Sequence, residues 1–294
     1  MKNLTKYGMM LLVAALCVGM SSCSEDDDND GGIGGSSSFA SNNPLVKEGK
    51  MLLTRVVCYR GSSGNDYGFT VIYDDQQRPI QIKYSDEDYG NVSINYTDGT
   101  ISDEDGDDEK VTFTHEGYIK SYTYSDSWDD GEAYEKGTTS FSYSSRCLTK
   151  MEYKFQGFQS GEKWSGTWSV TNAWSGGNIV KSTYLDKYTE DGETDEDRGE
   201  CTIEYSDLNN KFRQFTIGQS NAIELEEGEI AATGLLGLGP QKLPKKVVWD
   251  DGESSIFEYE LNDDGTICQE IVTETDDEGY SYTKIYKYYY TPID

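Results

Sequence analysis

The residues of this chain that could carry acid–base or metal chemistry are its carboxylates, which gather in two runs. One run spans 103–109 and the other spans 190–197. Glycosidases need only two carboxyl groups, one with its pKa raised by burial, and calcium prefers oxygen ligands of this kind. Both runs are predicted to lie in hairpin loops, where water keeps them ionised, and neither has EF-hand spacing. We therefore predict no catalytic pair and no metal site.

The chain has a single histidine, His115, so few residues are available for general-base or nucleophilic catalysis. His115 falls in phase with Val111 and Phe113, which predicts an inward position on a strand. A lone histidine on an apolar face is more often a core residue than a catalyst. The chain also lacks a Gly-x-Ser-x-Gly elbow. We therefore predict that the protein is not an enzyme and uses no cofactor.

Aromatic side chains are the remaining candidates for a binding site. Trp164, Trp168 and Trp174 stand among glycines such as Gly161 and Gly166. They could stack on sugar rings or line a lipid pocket. The alternative is that they belong to the core and cross-strand pairs of a β protein.

Cys23 is a candidate for covalent modification, because it follows an export leader. Two lysines precede an apolar stretch that is too short to span a bilayer. Small residues then lead to Cys23, an arrangement that resembles a bacterial lipobox, although Met20 stands where leucine is usual. Cys17 is the competing position, but bulky Leu16 precedes it. We predict a signal peptide over 1–22 and a lipid attached to Cys23.

An acidic run and a Gly/Ser-rich segment follow Cys23, and together they make residues 23–43 a tether. The acidic run resembles the export signal of surface lipoproteins of Bacteroidota. A Gly/Ser-rich segment behaves as a flexible coil. These features predict a lipid-anchored protein of the outer membrane, exposed at the cell surface, with membrane lipid as its partner through Cys23.

The charge and the cysteines of the chain exclude some functions and leave others open. A net charge of −29 repels phosphate backbones, so nucleic-acid binding is not expected. An even number of cysteines in an exported protein permits disulfides, but buried free thiols are at least as well supported. The four concerned are Cys58, Cys147, Cys201 and Cys268.

Strict alternation of apolar and polar residues recurs from residue 44 to residue 294. Ile80 to Tyr84, Val92 to Tyr96 and Cys201 to Tyr205 are examples, and Asp-Gly pairs interrupt the runs. This pattern predicts β-hairpins with one wet face, and the hairpins look like copies of one unit. Residues 221–239 break the pattern and are predicted to form a short helical insert. We predict a single all-β domain over 44–294, an antiparallel meander of hairpins rolled into a barrel or half-barrel.

Two features of these hairpins resemble known families. The hairpin at Tyr73-Asp74 and Arg78-Pro79-Ile80 resembles the Tyr-Asp repeats of large bacterial proteins. The leader, the acidic run, the Tyr/Thr-rich hairpins and the segment at 235–244 together resemble a family of Bacteroidota lipoproteins, known as a domain of unknown function with a porin-like fold. The resemblance covers most of the domain. It implies a fold and a location, and it carries no catalytic residues.

Three functions remain open at this point. The first, which we favour, is a non-enzymatic, surface-anchored binding or accessory module with a glycan or an outer-membrane transporter as its partner. The second is a carboxylate-dependent polysaccharide hydrolase, which a buried carboxyl group of raised pKa facing a groove would favour. The third is a structural or adhesive surface protein. A membrane-spanning barrel is not favoured, because outward positions such as Lys83 and Glu204 would face lipid.

Overall fold

The computed structural model describes residues 43–60, 67–86, 90–102, 109–128, 133–225 and 227–293. The predictions on the leader, on Cys23 and on the tether up to residue 42 lie outside these residues. The strands are β1 (Met51–Tyr59), β2 (Tyr67–Tyr73), β3 (Pro79–Tyr84), β4 (Val92–Asn95), β5 (Thr100–Ser102), β6 (Glu109–Phe113), β7 (Ile119–Trp128), β8 (Ala133–Ser144), β9 (Cys147–Gln159), β10 (Glu162–Ser175), β11 (Asn178–Glu190), β12 (Glu193–Asn209), β13 (Lys242–Trp249), β14 (Ser254–Leu261), β15 (Ile267–Thr275) and β16 (Ser281–Pro292). The helices are α1 (Pro44–Lys47), α2 (Ile217–Ala222) and α3 (Gly228–Ala232).

The strands form one closed antiparallel barrel. Each strand pairs with the next along the chain, and β1 pairs with β16. In the closing pair, Leu53 stands opposite Tyr290 and Cys58 stands opposite Tyr286. Closure leaves none of the described strands as a sheet edge free to pair with another chain. The prediction of an antiparallel meander rolled into a barrel is confirmed, in its closed form.

Alternation along the strands places apolar side chains inside the barrel and polar ones outside. In β12, Cys201 and Ile203 are buried while Thr202 and Glu204 are exposed. A barrel that spans a membrane carries its apolar band on the outside. The outer face of the described strands presents charged side chains such as Lys154.

Residues 210–241, which we call the plug, fill one part of the barrel interior. Its residues Phe215, Ile223, Leu235 and Leu236 are fully buried and belong to the same core cluster as the inner faces of the strands. The plug contains α2 and α3, which confirms the predicted helical insert near 221–239. The first helix begins at Ile217, four residues before the predicted start. Within the described ranges, no helix is both long and apolar enough to cross a bilayer.

The two ends of the barrel differ. Asn43 donates from Nδ2 to the carbonyl oxygen of Thr233 at 3.0 Å, so the chain enters the barrel at the plug, and we call this the plug end. Strands β8–β12 have 12 to 17 residues, whereas β3–β6 have 3 to 6. The long strands therefore form a tall wall that continues past the plug to the opposite end. We call this the open end as a name for the strand ends only, because the connections at 61–66, 87–89, 103–108 and 129–132 lie outside the described residues.

Candidate functional site

The inner face of the tall wall carries a row in which aromatic residues alternate with glycines. Successive cross-strand pairs place Tyr124 beside Gly137, Gly137 beside Phe155, Phe155 beside Gly166, and Gly166 beside Tyr188. These positions have the same parity as the buried core residues of their strands, so they face the barrel interior. Neighbouring inner positions add Tyr153, Trp164 and Trp168, and we call these eight residues the aromatic wall.

Each glycine of the row is needed because a ring from the neighbouring strand lies across it. A Cβ atom on Gly166 would stand less than 3.0 Å from the ring of Phe155, and one on Gly137 would stand as close to Tyr124. Trp164 covers Gly157 in the same way. A ring that packs on bare backbone lies flat against the sheet, a device that also pins strand register. The glycines therefore set the orientation of the aromatic side chains.

We expect Gly166→Ala to destabilise the barrel by about 1 to 3 kcal/mol, because the added methyl group overpacks this site. The Phe155 ring cannot easily move away, since its centroid lies 5.1 Å from Tyr153 and 6.2 Å from Tyr188. Urea unfolding of the variant measures the change. Ser165→Ala, at an exposed outer position of the same strand, is the control and should leave the midpoint within experimental error. Equal midpoints for Gly166→Ala and wild type would contradict the packing described here.

Glu135 holds two of the rings in place. The Nε1 atom of Trp164 donates to Glu135 Oε2 at 2.8 Å, and the hydroxyl group of Tyr124 donates to Oε1 of the same carboxylate. The Tyr124 and Tyr153 hydroxyl groups are also in hydrogen-bond contact. Burial, followed by the hydrogen bond to Glu135, raises the pKa of Tyr124. The Tyr124 phenol is therefore neutral at physiological pH, and the network fixes the ring positions before any ligand arrives.

The second acidic run contributes to this inner face, which corrects the prediction that it lies in a loop. Only Asp191 and Gly192 form the turn, and both have positive φ, as a two-residue hairpin turn requires. The strands consequently continue up to the turn, and 193–197 belong to β12. Asp195 and Asp197 share the parity of buried Gly199 and Cys201, so they face inward with the aromatic wall. The first run is outside the described residues except for Glu109, which begins β6.

Charge is segregated between the two faces of the β11–β12 hairpin. On the outer face, Lys187 pairs with Glu196 at 2.7 Å and Lys181 pairs with Glu200. On the inner face, Asp186 stands directly opposite Asp197, and Tyr188 stands opposite Asp195. Burial raises the pKa of Asp186, and the nearby Asp197 raises it further. Directly opposed like charges destabilise a sheet, so this face is not arranged for maximal stability.

Two carboxyl groups of the plug border the same interior. The hydroxyl group of Tyr122, one inner position from Tyr124, donates to Glu227. Burial raises the pKa of Glu227 to about 7 and that of Glu229 to about 7. Each residue nevertheless keeps some accessible surface. We call the interior between the aromatic wall and these two groups the vestibule.

The structure brings together only two of the three predicted tryptophans. Trp164 and Trp168 belong to the aromatic wall, near the open end of β10. Trp174 lies at the other end of that strand, where its Nε1 donates to the carbonyl oxygen of Leu148 at 2.8 Å. Trp174 therefore packs at the core rather than in the vestibule. Glu135, Tyr188, Glu227 and Glu229 were not singled out from the sequence.

His115 and the cysteines also have defined positions. His115 is exposed, so its predicted inward position is wrong. The reason is that β6 ends at Phe113 and the chain turns over 114–118, which interrupts the alternation. The four cysteines within the described residues are free thiols, three of them buried and Cys268 partly buried. No group of three or more His, Cys, Asp or Glu side chains in these residues is placed to hold a metal ion.

Comparisons with known proteins support the fold. The chain is similar in structure to a porin-like protein from Bacteroides uniformis, with 14% identity, a TM-score of 0.53, and coverage of 81% of this chain and 98% of that chain. A porin-like protein from Bacteroides vulgatus gives 15% identity, a TM-score of 0.49, and coverage of 82% and 99%. No family model and no curated protein matches the chain. The first structure shows that the barrel fold is shared, while membership of the lipoprotein family stays a prediction.

Proposed function

We propose that this protein is a surface-exposed lipoprotein of the outer membrane that binds a ligand in its vestibule and does not catalyse a reaction. The observation that carries the proposal is the placement of the two ends. The chain enters the barrel at the plug end, where Asn43 contacts Thr233. The aromatic wall lies towards the open end. A lipid on Cys23 would therefore tie the plugged end to the membrane and leave the vestibule facing outward.

The tether is long enough for this arrangement. The Gly/Ser-rich composition of the 21 residues from 23 to 43 predicts a flexible coil, which would have an average end-to-end distance of about 25 Å. That distance places the barrel clear of the lipid headgroups without holding it rigidly. The charged outer face of the barrel suits such a position in water. A neighbouring outer-membrane transporter could then collect what the vestibule holds.

The aromatic wall supports a binding role. Its rings are oriented by glycines and by Glu135 without any ligand, and such preorganisation lowers the entropic cost of binding. Aromatic faces suit stacking with sugars as well as with cationic groups. Both glycans and peptides are therefore within the scope of this proposal.

Cys23→Ala tests the anchor. We expect wild-type protein to sediment with outer membranes and the variant to be released, because a diacylated cysteine supplies the membrane affinity. Fractionation followed by immunoblotting measures the shift, and Cys268→Ser is the control for loss of a cysteine elsewhere. A Cys23→Ala variant that stays with the membrane would contradict the anchor.

Glu227 and Glu229 favour a second candidate function, hydrolysis of a polysaccharide. Two carboxyl groups with pKa values of about 7 have the protonation behaviour of a general acid. Release of reducing sugar from candidate polysaccharides tests this candidate. Glu227→Gln should abolish the release if Glu227 is the acid, and unchanged release would exclude it from that role.

A further inference from the structure

We propose that the vestibule ligand is a basic peptide segment, rich in arginine or lysine, that lies across the aromatic wall in an extended conformation. This inference rests on the proposed binding function and narrows it to one class of ligand. Three properties of the wall support it: the orientation of its rings, the sign of the charges beside them, and its length.

The rings present similar orientations to the barrel interior. The ring planes of Tyr153 and Phe155 differ by 19°, those of Tyr124 and Tyr153 by 18°, and those of Phe155 and Tyr188 by 31°. Phe155, Tyr188 and Trp164 keep accessible surface. The face of an aromatic ring attracts a guanidinium or ammonium group placed over it, and arginine makes this contact most often.

The charges beside the rings are negative. Asp186, Asp195 and Asp197 face inward from β11 and β12, and the described residues provide no salt bridge to any of them. The lysines of the same hairpin, Lys181 and Lys187, lie on the outer face and are paired there. The inner face is therefore complementary to a cationic partner, which would relieve the repulsion between Asp186 and Asp197.

The length of the row favours an extended peptide over a small cation as the ligand. Tyr124 is buried, so the accessible part of the row runs from Phe155 through Gly166 and Tyr188 to Asp195. It crosses four strands, which at about 4.8 Å per step gives about 14 Å. An extended peptide of about four residues spans this distance. The acids flank the β12 end of this row: Asp195 stands opposite Tyr188, Asp197 is about 7 Å further along β12, and Asp186 stands opposite Asp197.

Binding of a fluorescent hexa-arginine peptide tests the inference. The full barrel domain is titrated into the peptide in about 0.15 M salt, where distant surface charges are screened, and anisotropy is recorded. We expect a dissociation constant in the micromolar range. Asp186→Asn combined with Asp197→Asn keeps the shape of the inner face and removes two charges, and it should weaken binding at least about tenfold.

The matched control is Glu196→Gln combined with Glu200→Gln. It removes the same number of charges from the outer face of the same hairpin, and it should change affinity less than about twofold. Equal weakening by both pairs would show that the peptide binds through net charge alone and would overturn the inference.

Two further ligands separate this inference from the wider proposal. Tight binding of maltohexaose with no binding of hexa-arginine would overturn the basic-peptide ligand and leave a vestibule that binds glycans. Agmatine that binds as tightly as hexa-arginine would also overturn it, because a molecule with a single guanidinium group cannot span the row. The anchor assay on Cys23 is independent of these measurements, so failure of one does not imply failure of the other.

Discussion

Replacement of Glu270 by alanine is expected to destabilise the protein by about 4 kcal/mol. Glu270 is completely buried in β15 and accepts hydrogen bonds from Thr216 Oγ1 at 2.5 Å, the Gly218 amide at 3.1 Å and the Tyr288 hydroxyl at 2.7 Å. Thr216 is the N-cap of α2, so this carboxyl group joins the plug to the barrel wall. Alanine would leave three buried donors without an acceptor, at about 1 to 3 kcal/mol each before relaxation.

Chemical denaturation of the wild type and three variants would measure this effect. Glu270→Gln retains one acceptor oxygen and should cost less than the alanine variant. Glu258→Ala, at an exposed position of β14, should change the free energy of unfolding by less than about 0.5 kcal/mol. If Glu270→Ala unfolded at the same denaturant concentration as Glu258→Ala, Glu270 would not be the attachment of the plug.

The second large effect is a dependence of stability on pH that originates at Glu227 and Glu229. In the folded protein each has a pKa of about 7, above the ordinary value of 4.5. Between these two values the folded state binds more protons than the unfolded state, so the free energy of unfolding falls as pH rises. The loss is complete above pH 7 and amounts to at most about 3 kcal/mol per group.

Glu227→Gln combined with Glu229→Gln should remove this dependence, because both side chains are then neutral at every pH. We expect the double variant to be more stable than wild type by up to about 6 kcal/mol at pH 8, about 3 kcal/mol for each group, and similar to it at pH 4.5. Glu204→Gln combined with Glu258→Gln changes net charge equally at exposed positions and controls for general repulsion between acids. A double variant whose stability follows the wild-type pH curve would mean that the two plug carboxyl groups are solvated.

Local patterns were sufficient to predict the strands and the fold class. Alternation around Ile82, Ile94 and Ile203 predicted inner and outer faces that the structure has, because one residue of every two must face the core. The change of pattern at 221–239 identified the insert. The Asp191-Gly192 turn was visible too, and reading it as a two-residue hairpin would have placed Asp195 and Asp197 on a strand.

The vestibule depends on contacts that the local sequence does not specify. Gly137 and Gly166 become part of one row only when β7 to β11 pair in the observed register. The raised pKa values of Glu227 and Glu229 require the barrel to enclose α3, and the closing pair between β1 and β16 joins the two ends of the domain. Each of these contacts joins residues that are far apart in the sequence. The residue pattern of a short sequence segment therefore cannot predict it.

The central claim is that the barrel is displayed at the cell surface, and labelling of an engineered thiol in intact cells tests it most directly. Thr194→Cys adds an exposed thiol near the open end of β12, and Cys268→Ser removes the one native thiol that is partly exposed among the described residues. We expect a membrane-impermeant maleimide to label this protein equally in intact and in lysed cells. Labelling that appears only after lysis would contradict surface display.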